Sequence, residues 1–295
     1  MGASIVLFGS LNMDLMVRVE KAPRAGETLR GLGFLLNPGG KGANQAVACA
    51  RQGASVAMVG CVGKDSFGDA LRNALASDGI DVSNVRAVDA STGVAVVMVD
   101  ATGENRITVV PGANEFVNAD PETLTGQFLL LQCEVPMREV VQAARFMRAK
   151  GATVVLNPAP VCQLPDELWS LVDIMVMNEI EASELAGVFV NDSASAAIAA
   201  TAICKRGPST AIVTLGSQGV LLAVGDRCRH FPARQVSVVD TTAAGDTFIG
   251  ALCAARAAGM SMDSAVIRGI DAASICVTRP GAQASIPYLK ELATL

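Results

Sequence analysis

VVDTTAAGDTF, residues 238–248, joins two valines to a helical apolar pattern beginning at Phe248, through three threonines, two alanines, one glycine and two acids, Asp240 and, at the mouth of the helix, Asp246. The valines read as the end of a buried strand. A strand that passes through a turn of small residues straight into a helix presents the helix N-terminus at that turn. Backbone N–H groups there lack internal partners and carry partial positive charge. Ala243, Ala244 and Gly245 leave those groups uncovered, so an anion such as phosphate can come close. Bound phosphate repels a neighbouring acid, unless the acid is there to take a proton from an attacking hydroxyl. Asp246 therefore has two readings: a general base for phosphoryl transfer to an alcohol, or a first-turn acid favoured by the helix dipole alone.

The same alternation of strand and helix runs through the chain. Short β-branched runs at 4–8 (SIVLF), 56–60 (VAMVG), 129–133 (LLLQC), 153–157 (TVVLN), 173–177 (DIMVM) and 211–215 (AIVTL) alternate with amphipathic stretches at 43–52, 66–78, 138–149 and 193–206. This is the rhythm of a doubly wound, mostly parallel sheet. VLLAV (220–224) and the segment before Val238 suit an antiparallel edge, and helices dominate from 245 onward. Residues 15–36 and 94–111 break the rhythm. Their pieces LMVRV, LRGLGFLL, VAVVMV and RITVV have no helix between the members of each pair, and ATGENR (101–106) reads as a hairpin tip. They predict a small separate sheet lying over the main one. Polar residues and glycines collect after the strands: Gly9, Ser10, Asn12 and Asp14, then Glu134, Asn157, Asn178 and Glu181, Gly216, Ser217 and Gly219, and Asp240. The carboxyl edge of an open parallel sheet is where ligands bind.

Length and composition narrow the classes. At 295 residues the chain is near the size at which one core stops growing. It is 51% hydrophobic and 17% charged, with the surplus in Ala, Val and Gly, which suits a compact α/β domain. A net charge of −5 without a long basic run argues against nucleic-acid binding. No apolar stretch is long enough to cross a bilayer. MGASIVLFGSLNMD has no basic leader segment and reads directly into a strand, so a cytoplasmic protein with no membrane partner is expected. The eight cysteines form no CxxC pair, and the only histidine, His230, lies in RHFP, which reads as a solvated turn. Zinc sites, disulfide scaffolds and histidine triads are disfavoured.

NPGGKGANQA, 37–46, is glycine-rich and enters a helix. It is not a phosphate-binding Walker loop, because neither GK pair is followed by Ser or Thr, and Gln45 stands where a dinucleotide fingerprint needs glycine. Two readings stand. One is a tight turn that starts a helix. The other is a polyol site, in which the glycines, Lys41 and Asn44 supply donors while Asn12, Asp14 and Glu134 accept from neighbouring hydroxyls.

GSLNMD (9–14), GGKGAN (39–44), LNPAP (156–160), NEIEA (178–182), TLGSQG (214–219), DTTAAGDTF (240–248) and RPGAQAS (279–285) together resemble the ribokinase branch of the PfkB carbohydrate kinases, in order and over nearly the whole chain. The resemblance implies a ribokinase-like three-layer α/β/α sandwich, with a mostly parallel central sheet and a small β-sheet lid. It implies one domain over 1–295, with a discontinuous lid from about 14–37 and 93–112. The implied activity is ATP- and Mg²⁺-dependent phosphorylation of a sugar's terminal hydroxyl, in this branch the 5-hydroxyl of D-ribose. Carried over by motif, Asn12, Asp14, Gly40, Lys41, Asn44 and Glu134 would bind the sugar, and Ala95, Val97 and Val109 would cover it. Asp246 would be the base, beside an anion hole of Ala243, Ala244 and Gly245. Asn178, Thr214, Leu215, Gly216, Ser217, Gln218, Gly219 and Gly245 would contact ATP, and Glu181 would position Mg²⁺ through water. Asp240, Thr242, Cys276, Arg279, Gly281 and Ser285 would hold a monovalent cation, K⁺, mostly through backbone carbonyls. Oxygen-only coordination suits a hard cation, which would strengthen the positive field of the adjacent turn. Where some relatives carry Asn or His toward adenine, this chain aligns Ile270, so no adenine contact is carried over. Other acceptors (deoxyribose, fructose, adenosine) are alternatives, as is a catalytically silent sugar or nucleotide sensor, although a sensor needs no base. A lid sheet has an edge or apolar face to cover, so a homodimer through the lid is expected.

Overall fold

The runs read as buried strands form a sheet covered on both faces. The computed structural model describes residues 4–102 and 104–294. Among these the order is β1 (Ile5–Phe8), β2 (Asn12–Arg18), β3 (Gly33–Gly39), α1 (Lys41–Arg51), β4 (Val56–Gly63), α2 (Ser66–Ser77), β5 (Asp81–Val88), β6 (Gly93–Val99), β7 (Asn105–Val110), β8 (Phe128–Leu131), α3 (Met137–Ala149), β9 (Thr153–Leu156), α4 (Asp166–Leu171), β10 (Ile174–Asn178), α5 (Glu179–Ala186), α6 (Ser193–Cys204), β11 (Thr210–Thr214), β12 (Val220–Val224), β13 (Arg227–Phe231), α7 (Ala244–Ala257) and α8 (Met262–Cys276).

The large sheet has the order β13-β12-β11-β10-β9-β8-β1-β4-β5. It is parallel from β5 through β11 and continues antiparallel into β12 and β13. Alternate residues serve opposite cores. Val6, Phe8, Leu129, Leu131, Val154 and Leu156 join residues of α3 and α6 on one face. Ile5, Leu7, Phe128, Leu130 and Val155 join α1, α7 and α8 on the other. A strand buried on both faces carries no polar alternation, which is why these segments read as continuous apolar runs. The result is the expected three-layer sandwich.

The second sheet has the order β3-β2-β6-β7. Its register pairs Asp14 with Ala95 and Asn37, Ala95 with Val109, and Val97 with Met16 and Ile107. Side chains alternate between faces along a strand, so Asn12, Asp14, Ala95, Val97 and Val109 share one face. At the end of β6, Asp100 accepts the N–H groups of Thr102 and Glu104 at 2.9 and 3.2 Å. The expected hairpin tip includes Gly103, which lies outside the described residues.

Three expectations are corrected. Val238 and Val239 do not end a strand. They stand in an irregular segment and are 61% and 63% exposed. The antiparallel partner of β12 is the earlier segment β13, which contains His230 in a strand rather than a turn. Strand β5 was not anticipated: it is an edge strand whose only fully buried residue is Val85, so it lacks an apolar run.

One packing contact matters for the site. A Cβ added at Gly250 of α7 would lie 2.3 Å from the Ala48 Cβ of α1. The missing side chain lets the two helices approach closely, and their first turns meet at the carboxyl edge of the sheet.

Candidate active site

Chain direction places the candidate residues. Strand β3 runs into α1 through Gly40, whose φ of +89° is a backbone state that favours glycine. That bend turns Lys41, Asn44 and Gln45 toward the start of α7. There Asn44 Nδ2 donates to Asp246 Oδ2 at 3.1 Å, and Gln45 Nε2 donates to Asp246 Oδ1 at 2.9 Å. Asp246 is 8% exposed. A buried carboxylate is costly unless its oxygens receive hydrogen bonds, and each oxygen here receives one.

The turn before Asp246 is unusual. Ala243 has φ +59°, the only non-glycine with positive φ among the described residues. A left-handed residue followed by helical ones makes successive N–H groups converge into an anion-binding concavity. Of the residues expected to form the anion hole, Ala244 turns its N–H back onto the Thr241 carbonyl at 3.2 Å. The N–H groups of Gly245 and Asp246 have no partner among the described residues and remain open at the N-terminus of α7.

On the side of the small sheet, acids crowd together. Burial, then the charges of Glu134 and Asp246, push the Asp14 carboxyl up to about 7. Glu134 Oε2 accepts from Ser10 Oγ at 2.5 Å and from Lys41 N–H at 3.0 Å. Asn12 Oδ1 accepts from Asn114 Nδ2 at 2.8 Å. Burial alone would lower the Lys41 ammonium, but Asp246, Glu134 and Glu181 more than offset it and hold it above its ordinary value. Lys41 is thus a cation flanked by acids from three different segments.

Asp14 gives a direct expectation. Its folded-state value lies above that of the unfolded chain, so the protein loses stability as pH rises from about 4 through about 7. Asp14→Asn removes that slope. In thermal unfolding, the variant should melt a few degrees above the parent at pH 8, with a gap that narrows toward pH 5. A gap independent of pH would contradict the crowding of charge.

Beyond Asp246 the cleft opens into two contiguous cavities. The smaller, about 220 Å³, is lined by Lys41, Asn157, Asn178, Glu181, Gly245 and Asp246, among others. The larger, about 540 Å³, is lined by Thr214, Gly216, Ser217 and Gly219 and by the apolar Val220, Val236, Val238, Ile270, Ala273 and Val277, among others. Asn178, Thr214, Thr241, Ala244 and Gly245 border both, so the turn before Asp246 sits where the two meet. This explains the misread Val238: its apolar side chain lines a cleft instead of a core. Leu215 and Gln218 do not line it. Leu215 is buried in the core, and Gln218 Nε2 donates to the Asn191 carbonyl at 3.0 Å.

Asn178 and Glu181 cap α5 reciprocally. Glu181 N–H donates to Asn178 Oδ1 at 2.8 Å, while Asn178 N–H donates to Glu181 Oε2 at 3.0 Å. Burial raises the Glu181 carboxyl despite the opposing bond from Asn178 N–H and the charge of Lys41. Asn157 Nδ2 adds a third contact to Glu181, at 3.3 Å.

Asp240, Thr242, Cys276, Gly281 and Ser285 also converge. Asp240 accepts from Thr242 N–H and Gly281 N–H, each at 2.9 Å. Burial would raise this carboxyl, but the Thr242 and Gly281 donors outweigh it and hold it low. The Cys276 thiol points at the Thr242 carbonyl at 3.7 Å and lies 3.1 Å from Ser285 Oγ. The Arg279 side chain is turned instead to Glu291, at 2.7 Å.

Sequence reasoning left several lining or supporting residues unassigned. Gln45 and Asn157 lay inside quoted motifs, and the signal was an amide at a strand end or helix start. Val236, Ala273 and Val277 gave none, since apolar residues read as core.

Fold and site together define a phosphoryl-transferring enzyme of the open α/β class. Residues 3–289 match the pfkB family carbohydrate kinase. A ribokinase of Haemophilus influenzae is 41% identical, covering 99% of this chain and 97% of its own. A deoxyribokinase of Salmonella typhi is 35% identical, with coverage of 97% and 96%. A ribokinase of Arabidopsis thaliana, solved with ribose and ATP, matches with a TM-score of 0.94 and 33% identity, covering 100% of this chain and 98% of that one. The chain belongs to the pfkB family of carbohydrate kinases.

Proposed function

We propose that this kinase transfers the terminal phosphoryl group of ATP to the 5-hydroxyl of D-ribose, with Asp246 as general base. The observation that carries the reading is the buried Asp246 carboxyl, held by two amide donors where the acid-lined face of the small sheet meets the open N–H groups of α7. Similarity to the Haemophilus influenzae ribokinase, and to the Arabidopsis thaliana ribokinase solved with ribose and ATP, supports these substrates.

On this reading Asn12, Asp14, Gly40, Lys41, Asn44 and Glu134 bind sugar hydroxyls, and the small sheet acts as a lid, with Ala95, Val97 and Val109 over the sugar. Asp246 takes the proton from the 5-hydroxyl as its oxygen attacks. The N–H groups of Gly245 and Asp246, with the Lys41 ammonium, meet charge on the transferred group. The valine-lined wall takes the base of the nucleotide, and Asn178 and Thr214 stand near its phosphates. Water would compete with the sugar as acceptor, and a closed lid excludes it.

Glu181 suits Mg²⁺ as an oxygen donor. Its carboxyl is already held by Asn178 and Asn157, so it would meet the ion through water, as Mg²⁺ tends to keep its waters. Bound with the nucleotide, the ion supplies neutralising charge. The Asp240–Thr242 and Cys276–Ser285 segments, joined by the Asp240–Gly281 bond, are assigned to a monovalent cation, K⁺. Phe34, 60% exposed, and Leu36, 46% exposed, share the face of the small sheet opposite Asp14 and Ala95 and leave apolar surface there that a second copy of the chain would cover as a homodimer. No helix among the described residues is long and apolar enough to cross a membrane.

The deoxyribokinase of Salmonella typhi favours a second reading, with deoxyribose as acceptor. A coupled ADP-release assay over ribose, deoxyribose, fructose and adenosine, with and without K⁺, tests both. Ribose should give the highest kcat/KM, raised by K⁺. Faster turnover of deoxyribose would transfer the assignment, and no ADP release with any acceptor would make the protein a sensor.

A further inference from the structure

We infer that Gln45 is the positioning residue that aims the Asp246 carboxylate, an inference that rests on Asp246 being the base. Gln45 is 0% exposed and borders neither cavity. Its carboxamide is nevertheless fully engaged. Nε2 donates to Asp246 Oδ1 at 2.9 Å and to Asn157 Oδ1 at 3.2 Å, and Oε1 accepts from Gln132 Nε2 at 2.6 Å. An ionised carboxylate only accepts, so the amide must turn its nitrogen to Asp246 and its oxygen to Gln132.

The geometry separates Gln45 from Asn44. A carboxylate held through one oxygen still turns about its Cβ–Cγ bond; a donor on each oxygen fixes its plane. Asn44 supplies one donor, yet it lies on the sugar side and is also contacted by Gln283 Nε2 at 3.3 Å. Gln45 supplies the other from behind. Its anchors, Gln132 and Asn157, each follow a central strand, β8 and β9. The base is thereby referenced to the rigid sheet and not only to its own helix. Asn157 carries the same tie on to Glu181 Oε2 at 3.3 Å, so the base and the acid of the nucleotide side hang from one buried amide chain. A site works when its reacting groups are locked by a supporting layer, and small misplacements cost large factors in rate.

The test compares Gln45→Met, which keeps length and removes the donor, with Asp246→Asn and the double variant, using ribose and ATP. Gln45→Met should lower kcat by roughly 10- to 100-fold while ribose Kd, measured by titration, stays within about twofold. In the Asp246→Asn background the same substitution should change kcat by less than about twofold, because groups acting as a unit are not additive. Gln132→Met leaves Gln45 in place but frees its amide to turn, and should lower kcat by about 3- to 10-fold on the same logic; it decides the matter if Gln45→Met does not fold. Parental kcat in the folded variants, a matching loss of ribose affinity, or fully multiplicative losses would overturn the inference. Full turnover by Asp246→Asn would instead remove the base reading itself, whatever the Gln45 variants do.

Discussion

Asp246→Asn should lower kcat by about 10³-fold, within the usual range for losing a general base, while sugar affinity changes only a few-fold. The two results must occur together. On the proposed reading Asn12, Asp14, Asn44 and Glu134 would still surround the acceptor, so binding should survive. An amide cannot take the hydroxyl proton, so the chemical step does not. Folding should survive as well, since the substitution removes a buried charge from beside Asp14, whose carboxyl its field helps to raise. The rival reading, an acid held only by the helix dipole, makes a different forecast: a stability loss of about 0.3–1 kcal/mol with turnover intact. Steady-state kinetics with a sugar titration separates them, and full turnover in the variant would end the base assignment.

Gly245→Ala should lower kcat by about 10²-fold without destabilising the protein. A Cβ at Gly245 would meet no atom of the chain within 4 Å, and its backbone is not among those with positive φ. Nothing in the fold therefore requires glycine there. In a helix interior alanine is favoured over glycine by up to about 1 kcal/mol, so melting should hold or rise. Gly245 borders both cavities, so on the proposed reading an added methyl would crowd the transferred group beside the open N–H groups. Losing one such donor typically costs about 10²–10³ in rate. Lower stability with unchanged kcat would mean that the glycine serves the helix and not the transferred group.

The parts of the fold legible in the sequence are those where one physical demand acts alone. Strands β1, β8, β9, β10 and β11 are buried on both faces, so their apolar runs have a single reading. The turn before Asp246 is built of small residues, as the proposed approach of an anion to its backbone would require. Legibility fails where two demands give the same residue type. Val238 is apolar for the sake of a cleft, and from sequence that cannot be told from apolar for the sake of a core. Strand β5 lies at a sheet edge with most of its residues in reach of solvent, so it carries no apolar signature. Gln45 registers in the sequence only as the residue that spoils a glycine motif. Its value lies in partners at 132 and 157, which only the fold brings within reach. Ala244 was counted as a donor because sequence cannot show a turn folding back on itself.

Ala243 is in the left-handed region without being glycine, a conformation that carries an energetic cost of about 1–2 kcal/mol for a residue with a side chain. The surrounding turn must impose it, since the residue would not choose it. The methyl group also denies this bend the many shapes that glycine would explore in the unliganded enzyme. If the turn grips a phosphate as proposed, part of the ordering cost is met once, when the chain folds, instead of anew at every turnover. The cradle stands ready before its guest arrives.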